Sequence, residues 1–324
     1  SDAEHDKSLK EREILKEARD RLKYCIESDS INRREAMEDL EFAYEPGKQW
    51  PDDVRAKRAG RACLEANKMP TYIDQVTGDQ KQNNPSIGVV PADSVADPKT
   101  ASLLGGWIKH VLNISQADDA VDWAFEHAVA CGYGAMRVVT DYIENADGDQ
   151  EAYIVKIDNA LSVYWGKHSK YDCSDAKYCF IVSDMDREEF KAEYGSEPMP
   201  FSTADSNYIE GWCSDKTVRV CEYFVKVPTK DYIHTVRDVY GNVAEMDDKY
   251  DLQEGEEIIH TKEVRGQVIK WYLLSGNKVI AERDWPGKKY IPIIPVWGKQ
   301  INIGGKRSTR SLIRYAKDPQ RMYN

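Results

Sequence analysis

The sequence has no apolar run approaching the ~20 residues that a membrane-spanning helix requires. Its first twenty-one residues are densely charged and lack the apolar centre of a secretory signal. No Walker, HExxH or GxSxG sequence occurs, so the common nucleotidase, metalloprotease and serine hydrolase chemistries have no signature here. Cysteine is sparse and odd in number, at seven, which excludes a fully paired disulfide framework within one chain; reduced thiols in a cytoplasmic setting are the better reading. Basic residues are in deficit: 56 acids face 45 bases for a net charge of −11, unlike a generic nucleic-acid coat. No internal repeat is present.

What is there suffices for a folded body. Hydrophobic residues make up 41% and charged residues 31%, which excludes disorder along the whole length. The charge is segregated. Residues 286–324 hold nine bases (Lys288, Lys289, Lys299, Lys306, Arg307, Arg310, Arg314, Lys317, Arg321) and one acid, Asp318. That segment belongs beside something acidic: the rest of this chain, a neighbouring copy, or nucleic acid.

Apolar periodicity predicts a helical stretch over 5–44, through Leu9, Leu15, Ala18, Leu22 and Ile26, interrupted at Ser28, Asp29 and Ser30 and resuming from Asn32. Short helices follow near 52–60 and 70–80, then a strand candidate at 87–91. Two longer helices are expected at 97–113 and 116–131, the second so apolar that it reads as a central core helix. After Gly132 and Gly134 the period shifts toward two. Strands are expected at 136–139, 152–157, 218–227, 232–236, 264–274 and 278–281, with a hairpin turn at 145–149 and a helix at 186–194. Residues 195–215 and 241–260 read as long acidic surface insertions. The proline-broken segment 291–296 suits a sheet edge. Ser308 to Lys317 reads as a helix, after which Asp318 caps and Pro319 opens a new one. On such a helix Arg307, Arg310, Arg314 and Lys317 share one face, a basic strip extended by Arg321.

Candidate chemistry is thin. Gly132 and Gly134 follow a helix and lack the third glycine of a dinucleotide cradle. Asn145, Asp147, Gly148, Asp149 and Glu151 suggest a calcium loop but fit a plain turn better. His168, Cys173, Cys179, Cys213 and Cys221 lack zinc-site spacing. Asp141, Glu144, Asp172, Asp175, Asp184 and Asp186 could pair as acid and base, yet no nucleophile accompanies them. Trp165, Trp212, Trp271, Trp285 and Trp297 read as core packing, with interface anchoring as the alternative. No catalytic residue, metal ligand or cofactor site is assigned, and the chain is not read as an enzyme.

Several segments nevertheless occur in a familiar order. Glu41, Phe42, Tyr44, Pro46, Gly47, Gln49 and Trp50 are followed by Val54 and Arg58. Asn67 precedes Tyr72 and Ile73. The stretch from Asn83 through Pro85 to Pro91 comes next, then Ala128, Gly132, Gly134, Arg137, Thr140 and Tyr142. Trp165 leads through Ser169, Lys170, Asp172, Ser174, Asp175 and Ala176. Pro292 to Val296 and then Lys317, Asp318, Gln320, Arg321 and Asn324 close the series. Over residues 35–324 this order resembles the portal proteins of short-tailed (podovirus-type) bacteriophages. Asn84 departs from it, since that family usually has arginine before the proline.

The resemblance implies an α+β fold in which an N-terminal helical segment packs on a mixed, largely antiparallel β region of the portal wing type, ending at the start of a stem helix. It divides the chain into a mainly helical wing part (1–131), a β-rich wing part with acidic loops (132–306) and a basic helical segment (307–324) leading toward stem, clip and crown that the sequence does not include. It further implies a structural ring of twelve copies at one capsid vertex through which double-stranded DNA is packaged and ejected. Terminase, major capsid and scaffolding proteins, and tail adaptor or head-completion proteins are the expected partners. The protein would sit in the virion, passing through the host cytoplasm during assembly, with no membrane and no cofactor. Arg307, Arg310, Arg314, Lys317 and Arg321 would face a neighbouring subunit or DNA. A nucleic-acid-processing enzyme fragment, a nuclease or packaging ATPase, is the alternative.

Overall fold

The computed structural model describes residues 2–83, 87–92, 97–142, 148–195, 217–238, 240–247, 250–276 and 278–324. The helices are α1 (Asp2–Tyr44), α2 (Asp52–Lys57), α3 (Met69–Gln82), α4 (Pro98–Ile114), α5 (Ala117–Cys131), α6 (Arg187–Tyr194) and α7 (Leu312–Tyr323). The strands are β1 (Tyr133–Tyr142), β2 (Gln150–Lys156), β3 (Val163–Trp165), β4 (Tyr178–Asp186), β5 (Thr217–Arg237), β6 (Val243–Asp247), β7 (Glu257–Ser275), β8 (Lys278–Trp285), β9 (Ile293–Trp297), β10 (Lys299–Ile303) and β11 (Lys306–Arg310). Strand β1 pairs antiparallel with β2 and β9, β10 with β11, β5 with β4, β6 and β7, and β7 with β8, so the α+β expectation holds.

The chain forms two compact units: residues 1–23 with 164–291, and residues 24–163 with 292–324. Both are discontinuous in sequence.

In the first unit the sheet order is β3-β4-β5-β7-β8, with β6 added beside β5. Phe190, Val218, Val220 and Leu273 form one buried cluster. Phe180 stacks on Tyr223 with ring centroids 4.6 Å apart, and Tyr223 leans on Tyr272. Arg21 donates to the Tyr223 hydroxyl and lies over the Tyr178 ring. The β5 strand joins two predicted strands into one. Segment 241–260, expected as a surface insertion, instead supplies β6. Asp238 accepts from the backbone N–H groups of Tyr240 and Asn242, and Gly241 takes φ +85°, so the chain reverses tightly onto β5.

In the second unit β1 lies between β2 and β9, and β10 pairs with β11. Pro295 is tolerated because, among the described residues, β9 is an edge strand whose one neighbour is β1. The core joins Phe42, Ala43, Met69, Ile73, Ala130 and Ile313. Helix α5 is central, as expected, but its buried face is alanine: Ala117, Ala120, Ala124, Ala128 and Ala130, with Cys131. Phe125 is half-buried. Small side chains let β1 approach so closely that a Cβ on Gly134 would stand 1.8 Å from the Ala124 carbonyl oxygen. Gly132, at φ +91°, closes α5. The glycine pair is thus a packing device.

Three further expectations are corrected. Helix α1 does not break at residues 28–30. The hydroxyls of Ser28 and Ser30 donate to carbonyls one turn back, and Asp29 pairs with Arg33 at 3.1 Å. Residues 87–91 form no strand; they are irregular and mostly exposed, with no strand beside them among the described residues. Residues 308–310 are strand rather than helix, because Gly304 and Gly305 turn β10 into β11 and the helix begins only after its N-cap, Ser311.

Candidate functional site

The basic segment converges on the last turns of α1. Ala36, Asp39 and Ala43 form one buried stripe of that helix, and Asp39 is fully buried. Its carboxylate accepts from the Ser311 hydroxyl at 2.7 Å and from Arg314 Nη2 at 2.8 Å, while Lys317 Nζ lies 2.6 Å away. Arg314 also pairs with Glu35. Two cations and a hydroxyl thus offset the desolvation of one anion, and losing one partner would leave charge stranded in a dry site. Phe42 lies beneath, with Lys317 and Arg321 5.7 and 5.4 Å from its ring centroid. Burial pushes the nearby Cys131 thiol up to about 11, and the Asp39 charge adds to the rise.

The other end of α7 is held by amides. Gln49 Nε2 donates to Asn67 Oδ1 at 2.7 Å and to the Phe42 carbonyl at 3.2 Å. Asn324 Nδ2 donates to Gln49 Oε1 at 2.7 Å. Gln320 Nε2 donates to the Ala66 carbonyl and to Asn324 Oδ1, and its Oε1 accepts from the Lys68 N–H. Glu65 accepts from the N–H groups of Gly47 and Gln49. Trp50 donates to the Leu64 carbonyl, and Arg58 stacks on its ring at 4.7 Å. Motif residues from the two ends of the chain therefore form one network.

That network overrides the expected break at Asp318 and Pro319, which is a correction. Helix α7 continues through Pro319 to Tyr323. An interior proline costs about 3 kcal/mol. Here Tyr315, whose carbonyl loses its donor, is exposed, and the Gln320 and Asn324 bonds hold the following turn in place.

The five basic residues singled out from spacing do not form one helical face. Arg307 and Arg310 lie on β11, while Arg314, Lys317 and Arg321 lie on α7. Arg314 and Lys317 are mostly buried against Asp39. Arg310 stands over the Tyr315 ring, and Arg321 reaches the Gln49 carbonyl and Asp318. Ile313 is fully buried, whereas Leu312 is exposed. Asp39 and Ser311 escaped the sequence reading, and Gln49, Asn67 and Gln320 stood out there only as motif residues without a role. One signal pointed to Asp39: it stands on the apolar stripe of its helix, where an acid requires a partner.

Between α3 and α7 runs an apolar groove of about 690 Å³ lined by Tyr72, Val76, Leu312, Tyr315, Pro319 and Tyr323 among others. The remaining candidates serve local structure. Asp184 takes two hydrogen bonds from Arg219, Asp186 caps α6, Asp172 accepts from the Ser174 N–H, and Asp141 accepts from the N–H of Tyr142. Asp175 accepts from the N–H and hydroxyl of Ser169 and the N–H of Lys170; burial opposes its ionisation, but these bonds hold the carboxyl well below the usual range. Cys173, Cys179 and Cys221 are buried, and His168 bonds the Gly166 carbonyl. Trp271 donates to Glu222, and Trp297 packs on Tyr133. Glu144, Asn145, Asp147, Trp212, Cys213, Asn84 and most of segment 195–215 lie outside the described residues. Among the described residues no group of three or more His, Cys, Asp or Glu could hold a metal ion, and no helix is long and apolar enough to cross a membrane.

The arrangement fastens the end of α1 to α7. The chain is 25% identical over 312 residues to the portal protein of Acyrthosiphon pisum secondary endosymbiont phage 1. The match covers 90% of this chain and 43% of that relative's length. The model of a family described as phage P22-like portal protein matches residues 19–324, nearly the whole chain, and so the chain belongs to that family of phage structural proteins.

Proposed function

We propose that this chain is the wing portion of a portal subunit, a structural part of a ring set at one capsid vertex through which double-stranded DNA enters and leaves. The observation that carries the reading is the convergence of Gln49, Asn67, Asp39 and Phe42 on Arg314, Lys317, Gln320 and Asn324. Two parts of the sequence that match the family lock α7 in one direction, as a helix leading toward a channel must be. The alanine-faced α5 and the glycine contact with β1 make that support stiff. An acidic body suits a conduit, since a surface that neutralised phosphates would hold the DNA it must let slide. The ring's twelve-fold composition, terminase docking, contacts with capsid and scaffolding proteins, later binding of tail adaptor or head-completion proteins, and residence in the virion after assembly in the host cytoplasm are parts of the same proposal. The basic residues Arg307, Arg310 and Arg321 would meet a neighbouring subunit or the DNA.

The test is incubation of the protein with linear double-stranded DNA and ATP in Mg²⁺ or Mn²⁺. A structural part leaves the DNA intact and the ATP unspent. Cleavage, or ATP hydrolysis, abolished by substitution within this chain would overturn the reading in favour of a nuclease or packaging ATPase.

A further inference from the structure

The outer halves of β5 and β7 leave the sheet to which their inner halves belong. Strand β4 pairs with β5 only as far as Val225, and β8 pairs with β7 only from Ile269 onward. Beyond those points β5 and β7 continue together as a ribbon, joined along residues 233–237 by β6. Pro228 stands just past the last β4 pair, where among the described residues β5 has a strand on one side only. Among the described residues no strand lies on the other side of β7 at 257–265. Apolar side chains are exposed along the ribbon: Ile258, Ile259, Tyr232 and Val243. An exposed strand edge with apolar side chains is a template for another strand.

Charge selects that strand. Residues 238–257 hold eight acids and one base. Glu245, Asp251 and Glu254 are exposed, and none makes an ion pair with a described residue. The β7 edge itself is balanced, Glu257 and Glu263 against Lys262 and Arg265, so the acidic bias lies at the ribbon end beside it. The chain carries a second free edge, and that one is basic. Strand β10 pairs only with β11 among the described residues, and the hairpin 299–310 contains Lys299, Lys306, Arg307 and Arg310 with no acid. Lys299 and Lys306 are exposed, and Ile303 at the turn is 54% exposed.

We propose that β10 of one copy adds to the free edge of β7 on the next, with the basic hairpin against the acidic ribbon end. Main-chain hydrogen bonds supply the attachment, and the charges decide which edges meet. The two faces differ, so the contact is head-to-tail, the type that closes into a ring when its rotation permits. Its place in a ring rests on the portal reading; the contact itself does not.

Sedimentation of the 324-residue chain at about 20 mM and about 500 mM salt tests it, since screening weakens exposed charge pairs. Association should appear at low salt and fade at high salt. The triple variant Glu245→Lys, Asp251→Lys, Glu254→Lys should associate at least roughly tenfold more weakly, as should Lys299→Glu with Lys306→Glu. Combining both sets in one chain should restore association. Because the altered residues are exposed, each variant should keep the parent's circular dichroism and melting temperature. Amide exchange should slow at 257–265 and 299–303 on association. A chain monomeric at low salt, reversed variants that associate like the parent, or slowing confined to other segments would overturn the contact. If rings of the whole portal form regardless of these substitutions, the docking fails and the portal reading stands. If the whole portal forms no ring at all, it is the portal reading that fails.

Discussion

The guanidinium of Arg314 closes on the fully buried carboxylate of Asp39, Nη2 to Oδ2 2.8 Å, across 275 residues of sequence. Lys317 reaches the other carboxylate oxygen, so one anion of α1 is shared by two cations of α7.

This arrangement makes Asp39 the costliest charge to remove. Asp39→Ala should cost about 3–5 kcal/mol in urea melts, because Arg314 and Lys317 are left mostly buried without their anion. Lys317→Met should cost less, since Arg314 and Ser311 still hold Oδ2 and only Oδ1 loses its cation. A loss below about 1 kcal/mol for Asp39→Ala would contradict the fastening role.

The close approach of α5 and β1 yields a contrast between two glycines. Gly134→Ala places a Cβ 1.8 Å from a backbone oxygen and should prevent stable folding. Gly78→Ala, inside α3 with nothing within 4 Å, should be neutral or stabilising by up to about 1 kcal/mol. Equal melting temperatures for the two variants would refute the packing described.

Aromatic truncation separates the true core from its margin. Phe180 is fully buried, and Phe180→Ala should cost about 3–5 kcal/mol. Phe125 is half-buried on a helix whose inner face is alanine, so Phe125→Ala should cost markedly less. Denaturant melts that rank Phe125 above Phe180 would reverse this assignment.

Acid should loosen the loop around Asp175. Its carboxyl is held below the usual range, so it contributes stability above the unfolded value near 4, and that contribution is lost as pH falls toward the folded value. The parent should therefore lose stability more steeply than Asp175→Asn between about pH 5 and about pH 2. Parallel pH curves would show that the Ser169 and Lys170 bonds contribute nothing.

Much of this architecture was legible in the sequence, and the exceptions have definite causes. Helices α3, α4, α5 and α6 and the inner strands follow their apolar periods, because packing and local pattern agree there. The continuity of α1 through Ser28 and Ser30 did not show, because hydroxyls that often end helices here bond back to the preceding turn. The spacing of Arg307, Arg310, Arg314 and Lys317 imitates a helix, while the paired glycines 304 and 305 make its first half a hairpin. Pro319 reads as a boundary, and only contacts from Ala66, Lys68 and Gln49, far away in sequence, carry the helix past it. The family motifs were visible as strings, but their meeting around Gln49 and Asp39 is a property of the fold alone.

The central claim is that this chain builds the wing of a ring-forming portal. Electron micrographs of the whole portal protein test it most directly. The account predicts closed rings with a central channel, with residues 24–163 and 292–324 placed so that α7 points toward that channel. Particles with no ring, or rings in which α7 points away from the channel, would contradict it.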